Sequence, residues 1–176
     1  SIPWWAKNVQ GVVEKGSLVV ALSRDQSDLL RFQRRTNNYT ILKNEEVNQL
    51  EPDLKGKFKT GLFFKKEAHL SPRNSLIQLK KSLKQKGVEF VKKEFEFDNH
   101  FKKNNEIIID CRGLASRDCQ KNLRGVKGEM LMIDCPEINL TRPIRLLHPR
   151  IPIYIVPRGK GIYCLLYTSD AADDGY

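Results

Sequence analysis

The stretch Glu106-Ile107-Ile108-Ile109-Asp110-Cys111-Arg112-Gly113 decides the fold class. Three consecutive β-branched residues between acidic ends read as a short strand buried on both faces, running into a glycine turn. Such a strand is typical of a parallel, nucleotide-binding sheet, where ligands sit at the carboxyl ends of strands. From Gly125 onward the pattern changes. Strand-like stretches Glu129 to Ile133, Tyr154 to Val156 and Gly161 to Leu165 are separated by turns rich in proline and arginine, which reads as antiparallel sheet in another layer or domain. The expected class is therefore mixed α/β, with a boundary near Ala115 to Arg124.

Working back toward the start, Ser71-Pro72 supplies a cap and a proline at the first helical position. Leu76, Leu79 and Leu83 then recur at helical spacing until Gly87, which predicts a helix. Val88, Phe90, Phe95 and Phe97 after it read as strand. Asn44 is expected to cap a short helix that has Glu45 and Glu46 in its first turn and ends at Glu51-Pro52. Asp25 and Ser27 are the expected caps of a helix whose apolar stripe is Leu29, Leu30 and Phe32 and which Asn37-Asn38 stops. Gly11 to Leu22 reads as strand material, with Gly16-Ser17 as a turn between Val12-Val13 and Leu18-Val19-Val20.

The composition, 40% apolar and 30% charged in 176 residues, is that of an ordinary globular protein with one core or pieces of two. No apolar run approaches the roughly 20 residues a bilayer-spanning helix needs, and Ser1 to Gln10 lacks a signal-peptide layout, so a cytoplasmic location and no membrane partner are expected. The net charge of +10 would suit a polyanion, and a basic nucleic-acid-binding module is the alternative from a different class. The lysines between Lys55 and Lys103 are instead spread over predicted solvent faces without interleaved aromatics, so nucleic acid is not expected as a partner. Cys111, Cys119, Cys135 and Cys164 form no Cys-x-x-Cys pair, and His69, His100 and His148 have no ligand spacing, so no metal is expected. Residues 166–176 abandon the basic composition and resemble the translation of a sequencing adapter. They are expected to be a non-native tail, with a genuine acidic loop as the alternative.

No Gly-x-Gly-x-x-Gly is present, and Gly159-Lys160-Gly161 reads as a hairpin turn. The motifs alone therefore do not identify a flavoprotein. Three longer blocks do carry a resemblance. The first runs from Leu50-Glu51-Pro52-Asp53-Leu54 through Gly61-Leu62-Phe63-Phe64 to His69-Leu70-Ser71-Pro72-Arg73. The second is Ile109-Asp110-Cys111-Arg112-Gly113-Leu114-Ala115. The third joins Leu123-Arg124-Gly125-Val126-Lys127-Gly128-Glu129-Met130, Leu140-Thr141-Arg142-Pro143, Leu147-His148-Pro149-Arg150 and Tyr154-Ile155-Val156-Pro157-Arg158. Together they are similar to the glycine-oxidase branch of the D-amino-acid-oxidase superfamily, whose members often serve thiamine biosynthesis.

The resemblance implies an internal fragment, truncated at both ends, of an FAD-dependent enzyme: part of a Rossmann-like FAD-binding domain plus an antiparallel-sheet substrate domain. Residues 1–70 and 121–165 would belong to the substrate domain and 71–120 to the FAD-binding domain. The intact parent would oxidise glycine or another small amino acid with molecular oxygen, and a homo-oligomeric parent is compatible with this. A D-amino-acid or sarcosine oxidase or dehydrogenase is the close alternative. The isolated fragment is expected to be inactive and of low solubility. Carried over by position, Tyr154 matches the substrate-binding tyrosine, whose bland reading is a core tyrosine on a strand. Phe95 and Glu96 match a strand end at the adenosine part of FAD. Cys111, Arg112 and Gly113 match a turn close to the cofactor, and Gly128, with Gly125, lies near the flavin ring. The family's carboxylate clamp lies outside this sequence, so Arg142, Arg145, Arg150 and Arg158 are expected to be structural. No side chain is expected to act as a catalytic base.

Overall fold

The computed structural model describes residues 1–94, 107–125 and 127–168. The chain divides into two compact units, one of Ser1–Leu79 with the chain from Lys127 on, the other Lys80–Val126. The first holds a seven-stranded sheet in the order β2-β3-β1-β5-β6-β7-β4. Its strands are β1 (Ser17–Ala21), β2 (Thr40–Lys43), β3 (Thr60–Phe64), β4 (Gly128–Asp134), β5 (Ile144–Leu147), β6 (Ile153–Gly159) and β7 (Ile162–Thr168). Every pairing is antiparallel except β1 with β5.

The central strand β1 is buried along its whole length. Because side chains alternate across a strand, it feeds two cores. Leu18 and Val20 join Leu42, Val47, Phe58, Leu140, Ile144 and Tyr163 on one face. Val19 and Ala21 join Leu29, Leu62, Phe64 and Leu147 on the other. At the far edge β4 is exposed along its whole length, including Met130, Leu131 and Met132.

Three expected helices form, but Leu30, Leu76 and Leu83 of their expected apolar stripes are exposed, by 54%, 64% and 40%. Helix α2 (Gln26–Arg34) starts after Asp25 and turns Leu29 and Phe32 onto the sheet, and Asn38, at φ 63°, ends the segment as a residue type that tolerates the left-handed region. Helix α4 (Pro72–Gln85) ends at Gly87, whose φ of 83° and the Val88 N–H to Leu83 carbonyl bond form a glycine stop. Helix α3 (Asn44–Leu50) begins one residue earlier than expected at its cap. Lys43 is the cap, with its N–H donating to Glu46 Oε2 at 2.8 Å, while the Asn44 amide serves a tertiary role by donating to the Phe58 carbonyl at 2.7 Å. A short helix, α1 (Ile2–Asn8), precedes them all.

Three expectations change. Val12-Val13 is not a strand; Val13 forms an isolated bridge with His69. Val88 and Phe90 carry no regular structure, and Phe95 and Phe97 lie outside the described residues. Ile107–Asp110 is not a strand either, with Ile107 and Ile109 exposed by 91% and 79%. A run of buried-strand character needs a neighbour to satisfy its backbone, and among the described residues no strand pairs with it. At the other end β7 runs through Leu166 and Tyr167 to Thr168, so the shift in composition at Leu166 falls inside a strand.

Candidate functional site

The site is built on the sheet face that carries Val19. Register places Val19, Arg145, Tyr154, Leu166 and Met130 in one row across β1, β5, β6, β7 and β4. Directly paired residues share a face, so this row runs from the covered core out to an open surface. Helix α2 covers its inner end through Leu29 and Phe32. Along the rest of the row Arg145 is exposed, Tyr154 and Leu166 are half-buried, and Met130 is 62% exposed.

Tyr154 is half-buried and lines two cavities. The first, of about 500 Å³, is bounded by Ser17, Phe32, Phe64, Glu67, Arg145 and Tyr154 among others. The second, of about 440 Å³, includes Trp5, His69, Leu70, Tyr154, Arg158 and Leu166. Burial, and then the Glu67 carboxylate, push the Tyr154 phenol above its ordinary value, against the opposing pull of Arg145 and Arg158. The hydroxyl therefore stays protonated across the physiological range and can donate to a ligand.

The residues around Tyr154 are held from several elements. Ser17, the first residue of β1, donates its hydroxyl to Glu67 Oε2. The Arg145 guanidinium lies over the Phe32 ring at 5.0 Å. Arg158 donates to the Leu70 carbonyl. His69 is fixed through its backbone to Val13, while its buried Nδ1 has no partner among the described residues. Burial first, and then Arg158 and Lys15, hold the His69 pKa below the usual value, so the imidazole is neutral.

Arg142 has the structural role expected of it. Its Nε donates to the fully buried Glu51 at 2.6 Å and its Nη1 to the Lys15 carbonyl at 2.7 Å. Arg150 is exposed, and its backbone N–H donates to His148 Nδ1 at 3.1 Å. Arg145 and Arg158 differ from these two, since both sit beside Tyr154.

In the second unit Arg112 ties a turn together. Its guanidinium bonds Asp110 and Asp118, each at 2.9 Å at the shortest, and these bonds hold the Asp118 carboxyl down at about 2. Gly113 follows at φ 60°, a conformation that favours glycine, and among the described residues no atom lies within 4 Å of the position a Cβ would take. The turn is thus preformed and open beside Gly113, while Cys111 is exposed. Gly128 opens β4, opposite Thr168. Phe95 and Glu96 lie outside the described residues.

Sequence reasoning missed Glu67, Ser17 and Arg145 as neighbours of Tyr154. Nothing local marks them, because the pairings of β1 with β3 and β5, and of β5 with β6, bring them together from distant parts of the chain.

The family described as DAO, FAD dependent oxidoreductase, matches residues 3–175. A protein named as the thiamine biosynthesis oxidoreductase ThiO, from Rhizobium etli, is 42% identical over 176 residues, covering 98% of this chain and 52% of the relative. The chain therefore spans about half the length of the curated relative it matches. The crystal structure of a glycine oxidase from Bacillus cereus ATCC 14579 superposes with a TM-score of 0.64 at 16% identity, over 96% of this chain and 53% of that one. That of a glycine oxidase from Geobacillus kaustophilus gives 0.59 at 14% identity, over 97% and 53%. These two structures share the fold.

Proposed function

This chain belongs to the DAO family of FAD-dependent oxidoreductases, and from that premise we propose that its full-length protein oxidises the amine of glycine or another small amino acid. The observation that carries the reading is Tyr154. It is a protonated, half-buried hydroxyl between two cavities on an open sheet face, at the position where the resemblance puts the substrate-binding tyrosine. The name of the Rhizobium etli relative supports a role in thiamine biosynthesis, and the protein would act in the cytoplasm.

The described residues fit one part of FAD. In the sheet unit, exposed Met130 and half-buried Leu166 beside Tyr154 form an apolar row that suits the flat side of a flavin ring; in the other unit, taken by itself, the open turn at Gly113 suits close backbone approach. When bound, FAD supplies the hydride acceptor for the α-carbon of the amino acid and passes the electrons to oxygen, giving hydrogen peroxide. The chain's own residues bind and orient. The Tyr154 hydroxyl donates to the substrate, the cationic groups around it attract a carboxylate, and the α2 side of the cavity limits access of water. The product imine is then hydrolysed to the 2-oxo acid. The substrate domain would comprise residues 1–70 and 121–165, and Cys111, Arg112, Gly113 and Gly128 would face the cofactor.

Peroxide formation by the full-length protein with glycine, sarcosine and D-alanine tests this. Turnover on at least one of them supports the reading and ranks the substrates. Tyr154→Phe should then raise KM more than it lowers kcat. No turnover on any amine, with flavin bound, would refute it.

A further inference from the structure

The outer side of β4 is an unprotected sheet edge. Strand β4 ends the sheet order, and among the described residues no strand pairs with its outer side. Its sequence, Gly128-Glu129-Met130-Leu131-Met132-Ile133-Asp134, has no lysine and no proline, and its register with β7 is unbroken, so the usual devices that keep edges apart are missing. The opposite edge, β2, is short and ends in the exposed Lys43. Two rows of paired side chains run off β4. One passes from Val19 through Arg145, Tyr154 and Leu166 to Met130, and the other leaves the core at Leu18 and passes Ile144, Ile155 and Leu165 to Leu131. Met130, Leu131 and Met132 are exposed by 62%, 64% and 58%. The Cys135 N–H, just past the strand, donates to the Gly161 carbonyl of the β6–β7 turn at 2.8 Å. Main-chain groups alternate sides along a strand, so Gly128, Met130, Met132 and Asp134 turn theirs to the open side.

We propose that this edge is a dimer interface, in which β4 of a second copy of the chain adds antiparallel to β4 and the two sheets become one. The strand is complementary to itself. A two-fold axis normal to the sheet keeps each face on its own side, so residues of equal parity must pair, and full overlap of the strand sets Leu131 opposite Leu131 of the copy. Met130 then faces Met132 and Gly128 faces Asp134, and their outward N–H and C=O groups pair. Glu129 faces Ile133, so no two carboxylates are opposed. The copy's Lys127 falls opposite Cys135, between Asp134 and Glu137 in the sequence, so unlike charges meet at both ends of the contact. Both side-chain rows continue across it. Met132 of the copy comes beside Met130, and on the other face Leu131 meets its own copy next to the cavity of about 250 Å³ that it lines with Ile151, Ile153, Leu165 and Tyr167. A two-fold contact closes on itself, and Lys43 at the β2 edge opposes further growth.

Sedimentation velocity of the full-length protein over a dilution series should show a dimer in equilibrium with monomer. Met132→Pro removes an outward N–H and leaves the β7 ladder in place, and it should raise the dimer dissociation constant by roughly tenfold or more. Leu131→Lys, at an exposed position, should do the same by setting two like charges on the axis. Circular dichroism checks that each variant folds. Leu131→Cys gives a readout that needs no loss of affinity. Opposed residues of this non-hydrogen-bonded kind lie about 4.5 Å apart at Cα, within disulfide reach, so a mild oxidant should link two chains through it. Glu129→Cys, which faces Ile133 instead, should link no more than the native cysteines do. A monomer at every concentration would overturn the proposal and give the edge to another segment of the full-length chain. A dimer that Met132→Pro and Leu131→Lys both leave unchanged would overturn it too, placing the contact elsewhere. So would the absence of Leu131→Cys linkage at concentrations where the native protein is dimeric.

Discussion

Removing the Glu51 carboxylate should destabilise the sheet unit by about 3 kcal/mol, at the lower end of the roughly 3–5 kcal/mol seen when one partner of a buried ion pair is deleted. Glu51 is fully buried. It accepts from the Thr141 N–H at 3.1 Å, the Thr141 hydroxyl at 2.6 Å and Arg142 Nε at 2.6 Å. Glu51→Ala would leave a guanidinium whose side chain is only 13% exposed without its counter-charge. The lower end applies because Arg142 keeps the Lys15 carbonyl at 2.7 Å and the Thr141 hydroxyl at 3.0 Å. Glu51→Gln keeps the shape, loses the charge and should cost less. With a slope of about 1–3 kcal/mol per molar urea, the alanine variant should lower the urea midpoint by about 1–3 M, read by circular dichroism. The effect should reach the site, because Thr141 and Arg142 lead directly into β5, which carries Arg145. A loss below about 1 kcal/mol in both variants would show that the network is not fully desolvated and refute the reasoning.

Other predictions concern a turn and two titrating groups. Gly161→Ala should lower Tm, since the position has φ 74° and a Cβ there would lie 2.8 Å from Pro136 Cα. The left-handed conformation costs about 1–2 kcal/mol before any backbone shift, and an unchanged Tm would contradict this. His69 is depressed in the folded state, by burial first, so its contribution is present above about pH 6.5 and is lost as pH falls through the folded value. The urea midpoint of the native protein should therefore drop between neutral and mildly acidic pH more than that of His69→Leu, and parallel losses would exclude it. The Tyr154 phenol is raised in the folded state, so its contribution is lost as pH rises past about 10 through the folded value. Glu67→Gln should lower the ionisation point seen by ultraviolet difference absorbance against Tyr154→Phe, and no movement would separate the two groups.

What was legible in the sequence was local. Ser71-Pro72 and Gly87 mark both ends of α4 because caps and stops act within a turn of the residues that make them. Gly159-Lys160-Gly161 was readable as the β6–β7 turn for the same reason, with all three residues at positive φ. By contrast β2 and β5 are four residues long and carry little periodicity, so only their partners define them. The Ile107–Asp110 stretch failed in the opposite sense: its sequence has strand character, yet a strand exists only with a neighbour. Tyr154 entered the site through a resemblance. Its surroundings, Glu67, Arg145 and His69, follow from sheet register and could not be read from spacing along the chain.

The most direct test of the central claim is the visible spectrum of the purified full-length protein, recorded anaerobically before and after glycine or another small amino acid is added. The account predicts flavin bands that bleach on addition of the amine and return when oxygen is admitted. A folded protein whose flavin bands do not respond to any amino acid would contradict it.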